Sequence, residues 1–350
     1  MATSLESRRI VIAGASSLLG TELKALLEES RFAASEFRLV DEESVAGLLT
    51  EAGGEPAVIQ PVEADSFNKA WIVFFVGSPA FTRRNLELAK GSGAHIVDLS
   101  GELAGDAATR LWLPNFAELP GAALVGAQHA APQLAGASSD DKIFAVPSAP
   151  AEIIARLGAV LRSLDATALT AVAFQPISAS GKAGIEELET QTGQLLSFQP
   201  AGKAVFDAQV AFTMLDRFGP SSAHKLQAAQ ELLRKEVRAS LPAGLPATYV
   251  QLLHAPVFYG TTVSAFAKLD SSADAAKISK ACVDAGFTIT TEDAAPSNIS
   301  SAGETVLQLA PPQTDSAAPG AWWFWAAADN VRVPAANAIK LAEKLLVAVS

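Results

Sequence analysis

Two short stretches of this chain carry residues whose types and spacing point to chemistry. The first is Gly14-Ala-Ser-Ser-Leu-Leu-Gly20, which follows a β-branched run, Arg9–Ala13, and opens an amphipathic segment. A glycine turn in that context presents backbone N–H groups, here those of Ser16, Ser17 and Leu18, to a dinucleotide diphosphate, helped by the helix dipole. Gly14 allows the tight turn and Gly20 allows close helix–sheet packing. Ser17 stands where many such loops have a middle glycine, so its side chain either crowds the diphosphate or donates a hydroxyl to it. The same residues also describe a plain strand–turn–helix.

Asp41 ends the next strand, 21 residues after Gly20. An acid there accepts from ribose hydroxyls and repels a 2′-phosphate. Glu42 and Glu43 add negative charge, and no nearby arginine in the sequence offsets it. Of the two nicotinamide cofactors, NAD or NADP, this favours NAD; the alternative is three solvated acids at a strand end.

The second stretch is Ile143–Ala151, a short apolar strand running into a helix. Ser148 is expected to cap that helix, with Glu152 in its favourable first turn. The single cysteine, Cys282, lies elsewhere, on an amphipathic segment from Ile278 to Asp284, and reads as a structural thiol. One cysteine makes no internal disulfide, which agrees with a reducing compartment and a cytoplasmic location.

The elements that must position these residues fall into two patterns. Strands at Phe37–Val40, Ala70–Val76 and Ala94–Asp98 join Arg9–Ala13, with a helix from about Thr21 to Ser30 and another around Leu86 and Leu88. Buried apolar strands alternating with helices predict a Rossmann-like, doubly wound parallel sheet. From Ala149 the pattern changes. A helix to about Leu164 precedes strands at Leu169–Phe174, Tyr249–Leu253, Thr262–Lys268 and Trp322–Ala327, with a helix near Ile185–Leu195. This predicts an α+β domain with a mixed sheet. A last helix runs from Ala335 to Ala348. The expected α/β organisation is a dinucleotide-binding domain over 1–148, a substrate and dimerisation domain over 149–329, and a C-terminal helix over 330–350 returning to the first. Asp270–Ala275 and Thr291–Gly303 read as mobile connections.

Composition narrows the class. The chain has 350 residues and a net charge of −11, which argues against nucleic acid. The densest basic stretch, Arg234–Arg238, reads as a solvated helix face. Apolar runs fall far short of the roughly 20 residues of a membrane span. No arrangement of ligands points to a metal.

The order of several motifs resembles the aspartate-β-semialdehyde dehydrogenase family, and within it the divergent Usg-like branch. The pieces are GASSLLG at Gly14, FFVGSPA at Phe74, HIVDLSGEL at His95, AVPSAPA at Ala145, FQPISASGKAGIEEL at Phe174, HAPVFYGTT at His254 and FWAAADNVR at Phe324. The resemblance implies a cysteine thiolate that attacks the aldehyde, hydride transfer to NADP, and attack of phosphate on the thioester. It places the nucleophile at Ala149, the substrate-carboxylate arginine at His254 and the histidine base at Thr261. The phosphate-site lysine, three residues after the glutamate matched by Glu236, falls on Ala239, and a further arginine falls near Ala104. Gln175 matches a substrate-site glutamine, and Glu236 and His254 fall with it on substrate-site positions. Gly77, Ser180, Gly181 and Asn330 match cofactor contacts.

Three readings follow. The first is a catalytically degenerate family member that keeps nucleotide binding and forms a homodimer through the second domain, with a hetero-partner also conceivable. The second is an NAD-dependent oxidoreductase acting without a covalent thioester, with Gln175, Lys182 and His254 lining its site. The third is a cofactor-free interaction protein.

Overall fold

The computed structural model describes residues 8–52, 54–116, 142–241, 247–269, 273–291 and 293–348. These divide into two compact units. One runs to Pro114, resumes up to Pro147 and takes the C-terminal stretch from Pro334; the other holds Ser148–Val333.

In the first unit β1 (Arg9–Ala13) leads through the glycine turn into α1 (Leu18–Glu28) and β2 (Glu36–Asp41). A hairpin of β3 (Leu49–Ala52) and β4 (Glu55–Val58) follows, then β5 (Gln60–Pro61), β6 (Ala70–Phe75), α2 (Pro79–Gly91), β7 (His95–Asp98), β8 (Arg110–Leu111) and β9 (Ile143–Ala145). The main sheet has the order β5-β2-β1-β6-β7-β9-β8, and every pairing in it is parallel. Chain order reverses at β1, so the glycine turn stands at the carboxyl end of the strand where a doubly wound sheet opens its crevice. Ile10, Ile12, Ile72, Phe74 and Phe144 are buried on one sheet face with Leu23 and Leu27 of α1. Ala335, Ala338, Leu341, Ala342 and Leu345 complete that core from α7 (Arg332–Ala348). The small residues at every third or fourth position of α7 let it lie close to the sheet.

The second unit starts with α3 (Ala149–Arg162), β10 (Ala168–Gln175), α4 (Gly181–Leu196) and α5 (Leu226–Ser240). It continues with β11 (Ala247–His254), β12 (Thr261–Lys268), α6 (Ala275–Asp284), β13 (Phe287–Ile289), β14 (Leu307–Leu309), β15 (Gln313–Thr314) and β16 (Ala321–Ala328). Its mixed sheet runs β11-β10-β12-β16-β14-β13. β10 is parallel to β11 and antiparallel to β12.

The two-residue period of β10, β11, β12 and β16 divides this sheet into two faces. Leu169, Ala171, Ala173, Val250, Leu252, Val263, Ala265, Phe324 and Ala326 are buried on the inner face, where α3 and α5 pack. The other face carries Tyr249, Phe266, Trp323 and Trp325 and is partly open to solvent. Arg156 on α3 is buried, pairs with Glu152 at 2.7 Å and donates to the Ala285 carbonyl at 2.8 Å. Glu152 therefore holds a buried cation, beyond its expected place in the first turn of the helix. Residues 270–272 and 292, within the expected mobile connections, lie outside the described residues.

The stretch Arg234–Arg238 departs from expectation. Glu236 and Val237 are buried, and Arg234 reaches the Val250 carbonyl at 3.0 Å, so only part of this face is solvated. The helix packs against β11, and side-chain charge alone does not reveal which residues face inward.

Candidate functional site

In the first unit the glycine turn is held by three separate contacts. Gly14 has φ +96°, and a Cβ placed on it would lie 2.3 Å from the Gly77 nitrogen. The two glycines let β1 and β6 end against each other. The Ser17 hydroxyl accepts from the Gly20 N–H at 2.9 Å and donates to the Val76 carbonyl at 2.8 Å. It is the N-cap of α1. The Ser17 hydroxyl is thereby committed to the scaffold of the turn.

Asp41 is also engaged. Its Oδ2 accepts the Ser16 N–H at 2.7 Å and its Oδ1 accepts the Glu42 N–H at 2.8 Å. The Ser16 amide is therefore turned to the acid, and the acid is buried at the strand end. At Leu18 and Leu19 the backbone N–H groups have no partner among the described residues. These are the orphan donors of a helix start, where the dipole favours an anion. A diphosphate therefore fits at Leu18 and Leu19, while the Ser16 amide serves the loop.

Arg84 on α2 pairs with Glu42. The expectation that no arginine offsets the acids at this strand end is corrected: Arg84 comes from 42 residues further along the chain. Asp98, at the end of β7, accepts from the Ser100 N–H and hydroxyl and from the Leu103 N–H, and its burial raises its pKa. Ala104, the position matched to an arginine, is buried beside that turn.

In the second unit the positions matched to catalysis separate into two groups. Gln175 and His254 are register partners at the ends of β10 and β11. Thr261 starts β12, and its hydroxyl donates to the Phe174 carbonyl at 3.1 Å. The His254 ring nitrogen lies 3.2 Å from the Val210 carbonyl, and the ring packs 5.6 Å from that of Phe218. Burial lowers the His254 pKa, with the Val210 carbonyl as a smaller opposing effect. His254 is 1 % exposed. A neutral, enclosed imidazole bonded to a carbonyl is not a carboxylate clamp, and Lys182 stands exposed.

The other group is at the start of α3. Ala149 is the first helical residue and is fully buried. Ser148 makes no side-chain cap to the helix, which corrects that expectation. Its hydroxyl donates to Glu236 Oε2 at 2.5 Å and its N–H donates to Oε1 at 3.1 Å. Glu236 lies on α5, 88 residues away, and no local pattern announced the pair. Cys282 is buried in α6, and burial pushes its thiol up to about 12.

Asn330 is used within the second unit. Its Oδ1 accepts the Gly260 N–H at 2.9 Å and its Nδ2 donates to the Ser178 hydroxyl at 3.0 Å. It thereby anchors the turn that precedes Ser180 and Gly181. Gly181 has φ +76° with open space where a Cβ would stand. No group of three or more His, Cys, Asp or Glu side chains suited to a metal occurs among the described residues.

Residues 9–121 match the semialdehyde dehydrogenase NAD binding domain, and residues 157–333 match the semialdehyde dehydrogenase dimerisation domain. A USG-1 protein homolog of Azotobacter vinelandii is 30 % identical over 340 residues, covering 96 % of this chain and 97 % of that protein. An aspartate-semialdehyde dehydrogenase of Rickettsia bellii is 23 % identical over 350 residues, again covering 96 % and 97 %. Among solved structures, a probable aspartate-semialdehyde dehydrogenase from Pseudomonas aeruginosa superposes with a TM-score of 0.81 at 25 % identity, covering 97 % of this chain and 98 % of that one. Aspartate semialdehyde dehydrogenase II from Vibrio cholerae has a TM-score of 0.82 at 21 % identity with the same coverage.

Proposed function

The chain belongs to the semialdehyde dehydrogenase family, and from that premise we propose that it is a catalytically degenerate member that binds a nicotinamide dinucleotide and acts as a homodimer. The observation that carries this reading is Ala149. A buried methyl group opens the helix at the position matched to the nucleophile, and the one cysteine is buried in α6. An alanine cannot form the covalent intermediate that aldehyde oxidation through a thioester needs. His254 and Thr261 support the reading, because both bond backbone carbonyls within the second unit.

Nucleotide binding is supported by the open amides of Leu18 and Leu19 and by the NAD binding domain match. The presence of Arg84 beside Glu42 leaves NAD only a modest preference over NADP. When bound, the nicotinamide would supply a hydride acceptor; Leu18 and Leu19 would hold its diphosphate. Dimer formation is supported by the dimerisation domain match and by the open aromatic face of the mixed sheet. A cytoplasmic location rests on the single cysteine. Among the described residues no helix is long and apolar enough to cross a membrane.

The test is NAD(P)H production from aspartate semialdehyde and phosphate, comparing the wild type with Ala149→Cys. Both proteins are expected to give a flat trace, because the clamp position holds His254 and the base position holds Thr261, each bonded to a backbone carbonyl. The nucleotides should still raise the melting temperature; at 100 times the dissociation constant a ligand adds about 2.7 kcal/mol. A wild-type rate above background would overturn the degenerate reading. No thermal shift with NAD, NADH, NADP or NADPH would favour the cofactor-free interaction protein.

A further inference from the structure

Arg83 and Arg84 are neighbours on α2, and each meets an acid from a different strand end. Arg83 forks onto both oxygens of Glu102, with each contact at 2.7 Å. Arg84 reaches the other way, to Glu42, the residue that follows β2. In the sheet β1 lies between β2 and β6, and α2 follows β6. The Glu42–Arg84 pair therefore joins the two elements that flank the end of β1, where the glycine turn leads to the amides of Leu18 and Leu19. That is the mouth of the crevice a dinucleotide would enter.

The other acids here have different surroundings. Both oxygens of Asp41 accept backbone amides, from Ser16 and Glu42, so its carboxylate shapes the turn. Glu43 is exposed on the turn that follows. The Glu42–Arg84 pair is open to solvent, with the Arg84 side chain 55 % exposed and that of Glu42 45 %. An ion pair so exposed shifts an equilibrium by about fivefold at most. Arg84 gives Glu42 one N–H group, from Nη2. A phosphate carries more charge than a carboxylate and can take an arginine on two parallel N–H groups, so it competes well for Arg84.

We propose that Glu42 sets the nicotinamide selectivity of this chain by holding Arg84 away from the 2′-phosphate of NADP(H). With Glu42 in place, Arg84 must leave a carboxylate to take that phosphate, and Glu42 then stands beside it as a like charge. NAD(H) has no 2′-phosphate, and the pair stays closed. Without the Glu42 charge, Arg84 turns wholly to the phosphate and the preference passes to NADP(H). This rests on the nucleotide-binding reading above and names the residue that decides between its two cofactors.

The experiment is a double-mutant cycle on the full chain, with NADH and NADPH affinities read from nucleotide fluorescence. The four proteins are the wild type, Glu42→Gln, Arg84→Ala and the double variant, each checked for folding by its melting temperature. The wild type should bind both nucleotides, NADH the more tightly. Glu42→Gln should tighten NADPH by about fivefold and leave NADH unchanged, the size of an exposed charge pair. Most of that gain should vanish when Glu42→Gln is made in the Arg84→Ala background, because it runs through Arg84. Two results would overturn the assignment while NADH binding keeps the nucleotide reading in force. One is NADPH that does not tighten relative to NADH in Glu42→Gln. The other is a gain of equal size without Arg84, which would leave only repulsion by Glu42. No response to either nucleotide from any of the four proteins would overturn the nucleotide reading and the assignment together.

Discussion

The carboxylate of Asp41 closes on the amide of Ser16 at 2.7 Å, so the acid that ends β2 organises the turn that follows β1. Its other oxygen holds the Glu42 amide at 2.8 Å. An asparagine has one acceptor oxygen and would leave one of these N–H groups facing an NH₂. Asp41→Asn is therefore expected to lose about 1–3 kcal/mol of stability, the cost of an unsatisfied buried group. Urea unfolding measures it, and a change within error would show that the acid is not needed to shape the loop.

Arg84 supplies the cation missing from the local sequence around Asp41. In nucleotide titrations followed by fluorescence, Arg84→Ala should weaken NADPH more than NADH, by about fivefold, equivalent to the ~1 kcal/mol of an exposed charge pair. Equal weakening of both nucleotides would place the 2′-phosphate elsewhere.

Gly14 and Gly181 both have positive φ, at +96° and +76°, but only Gly14 is crowded, with the Gly77 nitrogen 2.3 Å from its missing Cβ. Gly181→Ala should cost about 1–3 kcal/mol from backbone strain alone, because φ +76° with ψ −168° is a conformation essentially reserved for glycine. Gly14→Ala adds overpacking of about 1–3 kcal/mol to that strain. Thermal unfolding of the two variants should rank Gly14→Ala as clearly the less stable, and equal stabilities would contradict the close approach of the two glycines.

His254 has its pKa lowered chiefly by burial, and His224 and His95 are lowered by burial in the same way. A base with a depressed folded pKa stays neutral while its unfolded form takes a proton. Stability therefore falls as pH drops below about 6.5, the unfolded value, toward the folded pKa. Asp98, whose carboxyl burial raises, contributes with the opposite sign. The measurement is the difference in urea midpoint between pH 7.5 and pH 5.5 for wild type and His254→Gln. The variant should show the smaller decline; an unchanged decline would show that His254 protonates freely in the folded state.

Phe266 lies on the open face of β12, its ring 5.0 Å from that of Trp323. Tyr249 on the same face is 61 % exposed. Phe266→Arg places a charge in the middle of this aromatic surface. Sedimentation velocity should then show a monomer where the wild type is a dimer, with far-UV circular dichroism unchanged. A dimer that persists would move the interface off this face.

Much of the architecture was readable from periodicity. Ile10–Ala13 and Ala70–Val76 are apolar throughout because parallel strands are covered on both faces, and α7 shows small residues at helical spacing because it lies on that sheet. Ala321–Ala328 is apolar throughout in sequence, so which of its residues face inward and which stay partly open was decided by the fold. The short strands β8, β13, β14 and β15 were not legible, since two or three residues carry no period and form only where a neighbouring strand offers its hydrogen bonds.

The candidate site was legible in its residue types but not in their partners. The sequence by itself determines that Ala149 bears no nucleophile, that Cys282 is the one thiol, and that Gly14 and Gly20 bracket a strand-to-helix turn. Side-chain chemistry and local backbone freedom suffice for those statements. The tertiary structure decided what each polar group does. It joined Ser148 to Glu236 across 88 residues, gave the Ser17 hydroxyl to Val76 and Gly20, and set Arg84 beside Glu42. It also enclosed His254 under Val210 and Phe218. A hydrogen bond or ion pair depends on separations of a few ångströms, which sheet order and helix packing set and linear spacing does not contain.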